Sequence, residues 1–171
     1  MFYTLLDDLI FYQKLVIKPS KYTNYEIDLH KYFYYKTKID PSFIIIVKIE
    51  QMDFIFFFIR TGNYFEAKSY LNSIRNQIKH KKVMVIRLDY ILINLIFNLF
   101  PDLCIDNVKI EINNVQGNYE IFIYFLKDLN SYHIAVGQNG GYIRAVNELF
   151  KKHIKLYSSR TPLTIRCKKT D

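Results

Sequence analysis

Two runs of β-branched and aromatic residues, Phe43-Ile44-Ile45-Ile46-Val47 and Phe54-Ile55-Phe56-Phe57-Phe58-Ile59, flank a polar break at Glu50–Asp53. Short apolar runs of this composition predict the two strands of a hairpin. The start of the chain has a different pattern. Leu5, Leu6, Leu9, Ile10, Gln13 and Val16–Ile17 recur near helical spacing, which predicts an amphipathic helix over residues 1–18, ended by Pro19. Residues 19–40 mix tyrosine, lysine and acidic positions, and the element expected there is one strand around Tyr25–Leu29. On its own pattern Phe65–Ile78 is a helix, and Lys82–Arg87 is a strand. Tyr90–Phe100 is apolar enough for a buried helix, and Pro101 stops it. Asn107–Ile112 and Tyr119–Leu126 predict a second hairpin, turning through Asn114-Val115-Gln116-Gly117-Asn118. No internal repeat or low-complexity linker is visible in the sequence.

The most distinctive stretch lies further on. Three of the chain's five glycines fall within Gly137-Gln138-Asn139-Gly140-Gly141, between two apolar, helix-compatible segments. Asp128-Leu129-Asn130-Ser131 offers capping residues for the first helix, and the second runs to about Lys152. A Gly-x-x-Gly turn lets two short helices meet at a sharp angle, and the missing Cβ atoms admit close backbone approach. The second helix points its unpaired N–H groups at the turn, which favours an anion. With a basic chain the natural anion is a nucleic-acid phosphate, and such a loop is the working part of a KH domain. Ile154–Tyr157 is expected to be the third strand of that sheet, and Leu163–Cys167 leaves room for one more.

The string Ala135-Val136-Gly137-Gln138-Asn139-Gly140, then Ile143-Arg144-Ala145-Val146, then Asn147-Glu148-Leu149, resembles the first KH domain of the NusA family of bacterial transcription elongation, termination and antitermination factors. Val85-Ile86-Arg87 and Leu95-Ile96-Phe97-Asn98-Leu99-Phe100-Pro101-Asp102-Leu103 resemble the family's junction between its S1-like OB domain and that KH domain. The resemblance covers about residues 82–157, fades over 41–81 and is absent before. It implies an α+β chain: an N-terminal extension or remnant domain over 1–40, an abbreviated S1-like OB module over 41–88, and a bacterial-type (type II) KH domain with a basic tail over 89–171. Under it Ala67–Ile74 becomes a barrel strand. It also implies a non-catalytic protein that binds single-stranded RNA near an RNA polymerase and modulates elongation, termination or antitermination. The RNA-binding residues expected are Gly137, Gln138, Asn139, Gly140, Gly141, Ile143, Arg144, Lys151, Lys152 and Lys155. Val136 and Val146 are further candidates for an apolar groove beneath the bases.

Charge agrees with that partner. The chain carries a net charge of +8, and from Arg144 onward eight basic residues face only Glu148 and Asp171. The competing explanation is a solvated helix end followed by a disordered tail. Aromatic content is 17%, all Tyr and Phe, as AT-rich coding would produce, which suggests a plastid, another organelle or a reduced bacterial genome. Aromatics at Phe54, Phe56, Phe57, Phe58, Tyr64 and Tyr70 suit a core better than base stacking. Cys104 and Cys167 stand far apart without metal-ligand spacing and are expected to be free thiols. The four histidines lack ligand or triad partners, and no nucleotide-binding Gly-x-x-x-x-Gly-Lys motif occurs. No enzyme, cofactor, metal, signal peptide or membrane span is expected. A KH-fold ribosomal or ribosome-assembly protein, an RNA-processing enzyme, and a KH scaffold binding protein only are the alternatives.

Overall fold

A computed structural model describes residues 9–113, 115, 117–127 and 129–171, and it is a mixed α+β structure with three small sheets. The chain divides into two compact units, Lys18–Asp89 and a second made of Tyr90–Asp171 with the N-terminal segment through Ile17. The boundary at 89–90 falls one residue from the expected division at 88, and residues 18–40 belong to the Lys18–Asp89 unit.

The Lys18–Asp89 unit begins with α1 (Asn24–Thr37), where a strand around Tyr25–Leu29 was expected. Its start follows the Ser/Thr-x-x-Glu rule: the Thr23 N–H donates to the Glu26 carboxylate at 3.0 Å. Lys38 ends it in a left-handed conformation. Leu29, Phe33 and Thr37, four residues apart, are its buried positions. Strands β2 (Phe43–Ile49) and β3 (Met52–Ile59) form the predicted hairpin. Next come α2 (Tyr64–Ser69) and α3 (Leu71–Gln77), then β4 (Lys82–Arg87), parallel to β3.

The strand that the OB resemblance placed at Ala67–Ile74 is therefore helical, as the segment's own pattern indicates. Ala67 in α2 and Ile74 in α3 are both fully buried. Residues 41–88 form a three-stranded open sheet with two helices, not a five-stranded barrel. Phe33 stacks on Phe57 at 4.5 Å, and with Ile44, Ile55, Ile74 and Val85 they belong to this unit's core. Full burial of each such side chain stabilises by about 1.5–3 kcal/mol relative to exposure.

The second unit opens with a helical turn at residues 9–11 and β1 (Leu15–Ile17), so the expected N-terminal helix gives way to a strand within its own span. Residues 1–8 of that expected helix lie outside the described residues. The chain then returns at Tyr90, whose carbonyl accepts from Leu15 N–H at 2.7 Å. The predicted buried helix is α4 (Leu92–Leu99), with Leu92, Leu95, Ile96 and Leu99 inward. Strands β5 (Ile105–Asn113) and β6 (Asn118–Phe125) form the second predicted hairpin. Helices α5 (Ser131–Val136) and α6 (Gly141–Lys152) follow, then β7 (Ile154–Leu156) and β8 (Leu163–Lys169).

The third strand of the β5–β6 sheet is β8, parallel to β6, and not the expected Ile154–Tyr157. Strand β7 instead pairs antiparallel with β1, Leu15 opposite Leu156. Length and alternation explain the exchange. Leu163, Ile165 and Cys167 alternate with Thr164, Arg166 and Lys168, and the inner face of this seven-residue strand holds as far as Cys167. The tail is accordingly ordered as a strand.

The two units share one element order. Apart from β1 and β7, which pair with each other in the second unit, each runs helix, hairpin, two helices, strand, and in each three-stranded sheet the middle strand is antiparallel to the first and parallel to the last. The topology repeats although the sequence shows no repeat.

Candidate functional site

The glycine turn is built from its φ angles. Helix α5 ends at Gly137, whose φ of 77° and ψ of 169° suit glycine alone, and whose N–H donates to the His133 carbonyl at 2.9 Å. A Cβ on Gly137 would sit 2.8 Å from both the Cβ and the backbone N of Tyr142. Gln138–Gly140 then make one 3-10 turn, with Asn139 at φ 52° and Gly140 at φ 70°. The Gly140 N–H donates to the Gly137 carbonyl at 3.1 Å, and the Gly141 N–H to that of Gln138. Gln138 and Asn139, which begin the turn, are exposed.

Two side chains beyond the glycines hold the turn. The Tyr142 ring meets Phe100 edge-on at 5.8 Å, and its hydroxyl donates to the Leu99 carbonyl at the end of α4. Arg144 folds back: its Nε donates to the Gly140 carbonyl at 3.3 Å and its Nη2 to the Asn139 carbonyl at 3.1 Å. Asn147 completes the seating of α6. Its amide donates to the Ile143 and Ile165 carbonyls at 3.0 and 2.9 Å and accepts from the Ile165 N–H at 2.8 Å, pairing the edge of β8. Tyr142 and Asn147 were not singled out from sequence. The available signal was a polar residue, Asn147, between the buried positions Val146 and Leu149 and four positions after Ile143.

The structure thus brings Gly137, Gln138, Asn139, Gly140, Gly141, Ile143 and Arg144 into one local neighbourhood. It does not bring the lysines there. Lys151 and Lys152 end α6, about 15 Å along the axis from Gly141 at the helical rise. They lie 3.8 and 2.8 Å from Glu148, and the Lys152 hydrogen bond holds that carboxyl below its ordinary range. Both lysines complement the helix C-terminus, which is the bland expectation. Lys155 is exposed on β7, opposite Val16. Ile143 and Val136 are half-buried, whereas Val146 is fully buried and belongs to the core.

The basic residues of β8 separate by strand parity. Arg166 pairs with Glu120 at 2.7 Å, and the Lys168 ammonium lies 3.9 Å from the Phe122 ring centroid. These residues share one sheet face. Lys169, of opposite parity, lies 3.3 Å from His133 on α5 and 5.1 Å from the Tyr132 ring centroid. The basic run is therefore several surfaces and not one patch.

Among the described residues no group of His, Cys, Asp or Glu could hold a metal, and no helix is long and apolar enough to cross a membrane. Burial pushes the Cys167 thiol up to about 12, while Cys104 is exposed. At pH 8 alkylation proceeds through the thiolate, which burial disfavours at Cys167. Iodoacetamide at that pH should label Cys104 at least a hundredfold faster than Cys167, as peptide mapping over time would show. Equal labelling rates would mean that Cys167 does not face the interior.

No protein-family model and no curated protein matches the sequence. Among solved structures the chain is similar to one described as the crystal structure of APE1850. The TM-score is 0.56 at 19% identity, covering 85% of this chain and 100% of that one. The likeness is one of fold.

Proposed function

We propose that this chain is a non-catalytic RNA-binding protein of the NusA type, and that its second unit is a type II KH domain. In this reading the Gly137–Gly140 turn takes the backbone of a short single-stranded RNA segment. The observation that carries it is the turn itself: two helices between parallel strands β6 and β8, joined through Gly137, Asn139 and Gly140 at positive φ, with Gln138 and Asn139 exposed. Backbone N–H groups and neutral amides suit a phosphate diester, which carries one charge and accepts several hydrogen bonds. The Lys18–Asp89 unit repeats the topology, but its helices α2 and α3 meet at Ser69-Tyr70-Leu71, with no glycine. RNA contact is assigned to the second unit for that reason. Action near RNA polymerase, on pausing, termination or antitermination, rests on the resemblance of residues 82–157.

Fluorescence anisotropy with a labelled single-stranded RNA of about ten nucleotides tests the reading. Affinity should fall as salt rises, with a log–log slope of about −2 to −3.5, corresponding to about three to five phosphates at roughly −0.7 each. Absent binding, or binding indifferent to salt, would overturn it.

A further inference from the structure

We infer that Arg144 is a positioning residue of the glycine turn and not one of its phosphate contacts; this rests on the RNA-binding reading above. The reason is where its guanidinium goes. Arg144 lies in the first turn of α6, where a cation is unfavourable to the helix dipole, so its placement needs another explanation. Its Nε and Nη2 reach back to the carbonyls of Gly140 and Asn139, the two residues that precede the helix at positive φ.

A planar fork is suited to two carbonyls at once, and an ammonium is not. By holding those carbonyls on the helix side, Arg144 leaves the turn's opposite edge to N–H groups and to the Gln138 and Asn139 amides. The same contacts keep carbonyl oxygens, which would repel a phosphate, from turning outward. Tyr142 fixes the base of the turn against Leu99 and Phe100, and Arg144 fixes its tip.

The test compares Arg144→Lys and Arg144→Met with the parent chain, using a ten-nucleotide oligouridylate at several salt concentrations. Arg144 is exposed, so both variants should fold, and thermal melting checks that they do. A positioning role predicts that both lose at least fivefold in affinity at fixed salt while the salt slope stays unchanged. A phosphate contact predicts the opposite: Arg144→Lys binds like the parent, and the slope of Arg144→Met shrinks by about 0.7. Either result would overturn the inference.

Amide hydrogen exchange gives a readout independent of RNA. The Gly140 and Gly141 N–H groups, bonded across the turn, should exchange at least tenfold faster in both variants. If the parent fails to bind oligouridylate, the RNA reading falls, and exchange alone decides the role of Arg144. Unchanged exchange would then rule out the brace.

Discussion

Gly137→Ala should lower the melting temperature by roughly 5–20 °C. Two costs add. The backbone at φ 77°, ψ 169° is a region that a Cβ strongly disfavours, at about 1–3 kcal/mol. The new methyl would also stand 2.8 Å from the Tyr142 N and Cβ, backbone-proximal atoms that cannot swing aside. Overpacking of that kind costs about 1–3 kcal/mol more. For a chain of this length each kcal/mol moves melting by about 2–4 °C. Gly140→Ala is the control. It has φ 70° but nothing within 4 Å of an added Cβ, so only the left-handed penalty of about 1–2 kcal/mol applies. Circular dichroism melting of the two variants side by side checks the ranking. If Gly137→Ala melts no lower than Gly140→Ala, the close approach of Tyr142 is not real.

Replacing Gln138 and Asn139 together by Asp should cost at least tenfold in RNA affinity, about 1.4 kcal/mol, while melting stays within a few degrees of the parent. Both side chains are exposed and both glycines remain. Asn139 sits at φ 52°, a conformation aspartate also tolerates. Two acids just before a helix N-terminus suit its dipole, at about 0.3–1 kcal/mol each. Folding therefore has no reason to suffer. Binding does, because two negative charges would meet the phosphate backbone where neutral donors now stand. Melting and titration on the same samples separate the cases. Unchanged affinity with unchanged melting would mean that the turn is not the RNA site, whereas loss of both would make these residues structural.

Legibility from sequence depended on whether a segment's pattern pointed one way. Helix α4 was clear because Leu92, Leu95, Ile96 and Leu99 repeat at helical spacing before Pro101. The glycine turn was clear because positive φ demands particular residues. Helix α1 was missed despite its Thr23-x-x-Glu26 start. Its apolar residues run all round: Leu29 and Phe33 are buried, while Tyr25, Ile27, Tyr34 and Tyr35 are exposed. For 64–77 the local pattern was correct and the resemblance misled, since Ala67, Leu71 and Ile74 keep a helical period. The candidate site was legible at the glycines and not at the lysines. Charge in a linear run does not reveal which surface each residue reaches, and strand parity divides Arg166 and Lys168 from Lys169.

The pairing of β1 with β7 sets a delay on the newly made chain. Leu15 meets Leu156 only after about 140 further residues have been synthesised, which at roughly 5–20 residues per second takes about 7–28 s. All of Lys18–Asp89 emerges during that interval, so its hairpin, helices and β4 can close on one another first. Small domains complete such folding in microseconds to seconds. From Tyr90 onward Leu15 has one backbone partner, the Tyr90 carbonyl, but the edge of β1 that pairs with β7 stays open until Leu156 is made, and an open strand edge invites association between neighbouring chains. Translation that stops after α6 therefore releases a chain in which the β7-facing edge of β1 is never closed.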